Sequence, residues 1–85
     1  MSRRAVVTNR SRAELLSICR QITRVLGDLE TLASSLGMTS RHAALQARLV
    51  VFLCRLEAGH SSFKLLLEMN TFVHEYNAHL EVLSP

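Results

Sequence analysis

The chain has 85 residues, of which 48% are hydrophobic, and it carries a formal net charge of +3. A domain of this size buries only about 60 to 65% of the surface that its unfolded chain exposes, so a monomer is marginally stable and gains from a partner. The longest unbroken apolar run, 49–54, is much shorter than the roughly 20 residues of a membrane span. We therefore expect one small soluble domain that does not span a membrane.

The composition favours helices over strands, because Trp is absent, Gly occurs three times and the single Pro is the last residue. The two cysteines, Cys19 and Cys54, do not form a CxxC motif, which indicates a reducing compartment and no disulfide framework. No secretory apolar segment is present. These features predict a cytoplasmic protein.

Positive charge is concentrated at the start of the chain. Arg3, Arg4, Arg10 and Arg12 lie within the first twelve residues, which contain no acidic side chain. The rest of the chain is slightly acidic. We predict a flexible basic arm over residues 1–11 and a single helical domain over residues 12–85.

The first predicted helix spans about residues 12–36. Ser11 and Glu14 have the spacing of a capping box, and Gly37 can take the left-handed conformation that ends a helix. Apolar residues recur at alternating intervals of three and four, which is a heptad seam that needs a partner helix. The seam consists of Leu15, Ile18, Ile22, Val25, Leu29, Leu32 and Leu36.

Two further helices are predicted, over about 40–58 and 61–83. Thr39 or Ser40 can cap the first of these, and Gly59 separates it from the second. The last helix carries its own seam, formed by Leu66, Met69, Val73, Tyr76, Leu80 and Leu83. Short connections imply antiparallel neighbours. The predicted fold is all-α, an antiparallel hairpin or three-helix bundle with coiled-coil-like heptad packing, completed by oligomerisation.

The middle helix is apolar on nearly every side. A helix of this kind is normally buried nearly all round, which a lone three-helix bundle does not provide. A second set of apolar positions lies beside its main face, namely Ala43, Ala47, Val50, Val51, Cys54 and Ala58. We expect a partner interface made by Leu15, Ile18, Ile22, Val25, Leu29, Leu49, Val50, Val51, Phe52, Leu65 and Phe72.

No catalytic or metal-binding pattern accompanies these helices. His74 and Glu75 begin like the HExxH zinc motif, but the next histidine is His79, one residue too late to share a helical face. We expect both histidines to be polar residues at the surface or at an interface, and both cysteines to lie in the core. The sequence predicts no catalytic residue, metal, cofactor or small-molecule substrate, and hence no enzyme.

The segment from Leu32 to Ala43 resembles the helix-turn-helix of bacterial DNA-binding proteins. It has a small residue, Ala33, four positions before Gly37, followed by a polar and basic helix start. The resemblance implies major-groove contacts from the second helix. The contacts implied are those of Thr39, Ser40, Arg41 and His42, with Arg48 near a phosphate.

Taken together, the patterns predict a non-enzymatic helical protein-interaction module. Its most concrete form is a small bacterial chaperone or co-chaperone, for example of a secretion-system substrate, that packs against amphipathic helices of a partner. The partner is a second copy, another helical protein or both. The alternative is a small homodimeric helix-turn-helix regulator that binds DNA.

Overall fold

The computed structural model describes residues 11–60 and 62–84, and the basic arm predicted over 1–11 lies outside them except for Ser11. The described residues form helices and no strands, so the all-helical prediction is confirmed. No described helix is both long and apolar enough to cross a bilayer. The helices are α1 (Arg12–Asp28), α2 (Glu30–Ser35), α3 (Thr39–Glu57) and α4 (Phe63–Leu83).

The predicted capping box starts α1. The backbone N–H of Glu14 donates to the Ser11 hydroxyl at 3.2 Å, and the Ser11 N–H donates to the Glu14 carboxylate at 3.4 Å. The Arg12 guanidinium then donates to the carbonyl oxygens of Leu56 at 2.6 Å and Glu57 at 3.1 Å. These carbonyls belong to the last turn of α3, where intrahelical donors are missing. The first residue of α1 therefore fastens its helix to the end of α3.

The predicted continuous helix over 12–36 is wrong. The chain leaves helical geometry at Leu29, with φ −94° and ψ 3°, and resumes as α2. Gly27 and Asp28 precede the interruption, and both residue types are poor helix formers. Beyond it, Leu32 and Leu36 are 40% and 51% exposed, so the predicted seam is not buried as one stripe.

The two glycine turns are confirmed. Gly37 has φ +71°, its N–H donates to the Ser34 carbonyl at 3.1 Å, and the Met38 N–H donates to the Ala33 carbonyl at 2.8 Å. This is the Schellman pattern that satisfies orphaned carbonyls at a helix end. Gly59, with φ +87°, ends α3 with the same pattern.

The predicted start of α3 is wrong by one or two residues. Met38 occupies the N-cap position, and no side chain caps the helix there. The predicted Thr39 and Ser40 caps are not used. At the start of α4, by contrast, the Ser62 hydroxyl accepts from the Leu65 N–H at 3.1 Å.

Two alanine substitutions should have opposite effects. Gly37→Ala is expected to destabilise the fold by about 1 to 2 kcal/mol, because its φ of +71° is strained for an L side chain. Gly27→Ala is expected to stabilise it by about 0.5 to 1 kcal/mol, because Gly27 is helical and has nothing within 4 Å of an added Cβ. Urea unfolding curves measure both. If both substitutions changed the free energy of unfolding in the same direction, the assigned backbone conformations would be contradicted.

Helix α3 is central, since its backbone approaches those of α1, α2 and α4. The Phe52 and Phe72 rings meet edge to face at a centroid distance of 5.4 Å, which joins α3 to α4. One hydrophobic core connects α1, α3 and α4. Its buried members are Leu15, Leu16, Cys19, Ile22, Leu26, Leu45, Leu49, Phe52, Leu56, Leu65, Met69, Phe72 and Tyr76.

The core face of α4 differs in phase from the predicted seam. Leu66, Val73 and Leu80 are only partly buried and pack at the edge of the core. The physical reason lies in the run of three leucines at 65–67, which permits either phase. The buried face consists of Leu65, Met69, Phe72, Tyr76, His79 and Leu83.

Candidate functional site

The structure divides the predicted interface residues into three groups. Most of them pack inside the chain, so in the folded monomer they are core and the interface prediction is wrong for them. These buried residues are Leu15, Ile22, Leu49, Phe52, Leu65 and Phe72. Ile18, Val25 and Leu29 are half-buried. Val50 and Val51 are exposed, so only these two lie openly on the surface.

The second apolar set of α3 is exposed along the length of the helix. Its members fall within an arc of about 100° on the side away from the core, by the 3.6-residue period. We call this surface the α3 back face, and it consists of Ala43, Ala47, Val50, Val51, Cys54 and Ala58, all exposed. It contains no charged side chain. The expectation that α3 is buried all round is therefore not met within the single chain.

A cleft of about 480 Å³ lies between α3 and α4 on a different side of α3. Such a volume is within the range of small-molecule sites. We call it the α3–α4 cleft, and its lining residues are Arg41, Ala44, Leu45, Arg48, Glu75, Ala78, His79 and Val82.

Two buried histidines connect three helices at this cleft. The ring nitrogens His42 Nδ1 and His79 Nε2 are 2.9 Å apart, and His42 Nε2 lies 2.6 Å from the Leu26 carbonyl oxygen. A carbonyl only accepts, so His42 Nε2 carries a proton and donates to Leu26. In a neutral pair, His42 Nδ1 then accepts from His79 Nε2–H. Helices α1, α3 and α4 are thus linked by one directed chain of hydrogen bonds.

The outer end of this chain has no partner among the described residues. His79 Nδ1 is buried and makes no hydrogen bond, although the His79 side chain lines the α3–α4 cleft. Burial, and then the nearby His42 and Arg41, lower the pKa of His79 below its usual value. In the neutral pair, therefore, a residue that lines the cleft holds a buried acceptor without a partner in the described part of the chain.

The two cleft arginines have different surroundings. Arg48 forms an ion pair with Glu75, and its guanidinium carbon lies 5.4 Å from the centre of the Phe72 ring. Arg41 is exposed, and no carboxylate of the described residues forms an ion pair with it. The positive charge at the Arg41 end of the cleft is therefore the uncompensated one.

The residues implied by the helix-turn-helix resemblance are only partly available. Thr39, Ser40 and Arg41 are exposed at the start of α3. His42 is 2% exposed and both of its ring nitrogens are engaged, so it cannot contact a base edge and that prediction is wrong. Arg48 is half-buried and paired with Glu75. The set predicted for DNA does not form one open surface.

The two cysteines have opposite environments. Cys19 is buried as predicted, and burial raises the pKa of its thiol to about 11, which makes it a poor nucleophile. Cys54 is exposed on the α3 back face, so its predicted place in the core is wrong. Among residues 11–60 and 62–84, no group of three or more His, Cys, Asp or Glu side chains is suited to hold a metal ion.

Thiol labelling should distinguish the cysteines. We expect Ellman's reagent to modify Cys54 in the folded monomer at high dilution, and Cys19 only after urea unfolding, because reagent access and thiolate formation both require exposure. The Cys54→Ser variant should lose the rapid phase of thiol labelling, which we assign to Cys54. Rapid labelling of that variant without denaturant would contradict the burial of Cys19.

Sequence reasoning missed the histidine pair. The prediction of surface or interface positions agrees with the exposure of His74 but is wrong for His79, which is 1% exposed inside the single chain. The available signal was the spacing of Phe72, Tyr76 and His79, which follows the core face of α4. Comparison of the chain with protein-family models, curated proteins and solved structures gave no match.

Proposed function

We propose that this protein is a non-enzymatic helical protein-interaction module that uses the α3 back face. The observation that carries the proposal is an exposed, uncharged apolar strip running from Ala43 to Ala58. At 1.5 Å per residue, this strip is about 23 Å long, enough for several turns of a docked helix. Its alanine, valine and cysteine side chains are short, so a partner helix can approach closely.

The partner we propose is an amphipathic helix whose apolar side covers the α3 back face. In a second copy of the chain, the same strip supplies such a helix, and self-association completes the bundle. In the chaperone form of the proposal, the strip covers an amphipathic segment of a client protein before the client reaches its destination. The exposed Leu32 and Leu36 on and after α2 are consistent with further apolar contacts.

Light scattering on a sizing column tests the self-association. We expect a dimer or larger species whose mass is insensitive to salt, because burial of apolar surface does not depend on ionic screening. Val50→Glu is expected to yield monomers, since it places a charge in the centre of the strip. Asn77→Glu is the matched control, because Asn77 is an exposed polar residue of α4.

The same column separates this proposal from DNA binding. A complex with random duplex DNA that dissociates as salt rises would support the regulator instead. For the chaperone form, we would titrate a fluorescent amphipathic helical peptide into each variant. Binding that Val50→Glu and Asn77→Glu weaken equally, or that neither weakens, would contradict docking on the α3 back face.

A further inference from the structure

We propose that the Arg41 end of the α3–α4 cleft binds a small organic carboxylate with an apolar body, and that the His42–His79 pair takes up a proton when it does. The site is independent of the α3 back face, which lies on another side of α3. The ligand is bound and not turned over.

The direction of the hydrogen-bond chain determines what the cleft offers. With both rings neutral, His79 Nδ1 presents a lone pair, as derived from the Leu26 carbonyl at the opposite end. If the pair gains one proton, that proton resides on either ring. In the first case His79 is doubly protonated. In the second, His42 is doubly protonated and His79 Nε2 accepts from it, which leaves the His79 proton on Nδ1.

In both protonated forms, His79 Nδ1–H is therefore a donor. A neutral pair presents an acceptor to the cleft, and a protonated pair presents a hydrogen-bond donor and a positive charge. An anion that accepts from Nδ1–H stabilises the protonated pair and satisfies the buried nitrogen left without a partner. Each binding event therefore takes one proton from solvent and binds one carboxylate.

The charged groups that face the histidine pair favour a ligand with negative charge. Arg41 and Arg48 of α3 and Glu75 of α4 line the same cleft, and α1 contributes the Leu26 carbonyl. Glu75 pairs with Arg48, which leaves Arg41 to attract an anion. Burial, and then the nearby His42 and Arg41, lower the pKa of His79, and a bound carboxylate offsets the repulsion from Arg41.

The remaining wall of the cleft specifies the body of the ligand. Ala44, Leu45, Ala78 and Val82 supply apolar surface around the polar groups. A few convergent polar groups in an apolar concavity are typical of small-molecule sites. Because His79 Nδ1 is buried, binding as we propose it requires that the exposed cleft residues Arg41 and Val82 change rotamer when the ligand enters. A short-chain fatty acid matches this combination, and hexanoate is the probe.

The test follows the His79 ring by nitrogen NMR over pH 5–8, in sodium hexanoate, sodium formate or sodium chloride at equal ionic strength. We expect hexanoate to raise the apparent pKa of His79, with formate acting weakly and chloride not at all. Affinity should rise as the pH falls through this range. Calorimetry in two buffers of different ionisation enthalpy should show proton uptake on hexanoate binding.

Two exposed arginines of α3 provide a matched pair of variants. Arg41→Ala is expected to weaken hexanoate binding at least about tenfold, because it removes a charged hydrogen-bond donor. Arg55→Ala should leave binding unchanged, since Arg55 does not line this cleft. Both side chains are exposed, so both variants should fold, which circular dichroism verifies.

Three outcomes would overturn the proposal. The first is an identical His79 titration in hexanoate and chloride. The second is equal weakening by Arg41→Ala and Arg55→Ala, which would indicate general ionic attraction. The third is formate binding as tightly as hexanoate, which would remove the role of the apolar wall.

Discussion

Replacing Phe72 by alanine is expected to lower the free energy of unfolding by about 3 to 5 kcal/mol. The Phe72 side chain is 2% exposed, meets Phe52 edge to face and stacks on Tyr76 at a centroid distance of 6.5 Å. The Arg48 guanidinium also lies over its ring. Removing the ring leaves a cavity where α3 and α4 meet. Since small domains have only about 5 to 15 kcal/mol of stability, the variant approaches the unfolding threshold at room temperature.

Phe63→Ala is the control for this prediction, because it removes the same side chain from the same helix. Phe63 is 67% exposed at the start of α4, so its loss should change the unfolding free energy by no more than about 0.5 kcal/mol. Urea midpoints at equal protein concentration measure both variants. Similar losses at the two positions would show that the core does not centre on Phe72.

The second large effect is a loss of folding stability at acidic pH. The pKa of His79 is lowered in the folded chain, chiefly by burial, so near neutral pH the folded state holds this ring without charge. Its contribution to stability is present above the pKa of the unfolded chain, about 6.5 for histidine. The contribution is lost as pH falls from there through the folded-state pKa, because the unfolded state binds more protons. We expect the urea concentration at the unfolding midpoint to decrease as the pH is lowered from 7.5 to 5.

Two variants assign this pH dependence to the buried ring. His79→Gln should be less stable than the parent at pH 7.5 but should lose less stability on acidification, because glutamine does not titrate. His74→Gln should retain the parental pH dependence, since His74 is exposed on the same helix. Apart from the substituted histidine, the three proteins have the same titratable side chains, so a difference between their slopes belongs to that histidine position. If His79→Gln keeps the full parental slope, the His79 ring is not its cause.

The features that could be predicted from the sequence are local ones. The capping box at Ser11 and Glu14 depends on residues three apart, and the turns at Gly37 and Gly59 depend on a backbone conformation that glycine adopts without strain. These signals placed the start of α1, the end of α2, both ends of α3 and the start of α4 within about two residues. The interruption at Leu29 was missed because the apolar pattern crosses it unchanged.

The phase of each helix could not be predicted equally well. Neighbouring apolar residues, such as Leu15 and Leu16 in α1 or those at 65–67 in α4, allow two core faces about 100° apart. The choice between them depends on packing against other helices. His79 obscured the correct face of α4, because a histidine at a core position looks like a surface residue in a sequence.

The candidate site was beyond sequence reasoning for a related cause. His42 and His79 are 37 residues apart, and their contact depends on the antiparallel arrangement of α3 and α4. The donor direction of the pair is decided by a backbone carbonyl on a third helix, at Leu26. The apolar character of the α3 back face, by contrast, could be predicted from the sequence. Its exposure in the folded chain could not.

The central position of α3 has a consequence for how the molecule opens. Except for the sequential pair α1 and α2, the more extensive backbone approaches between the described helices include α3. If α3 separates from α1 or α4, that helix therefore loses its most extensive packing contact. Amide protons in the middle of all three long helices should exchange with solvent through the same global opening, with nearly equal protection. The chain should thus behave as a single cooperative unit that has no stable half.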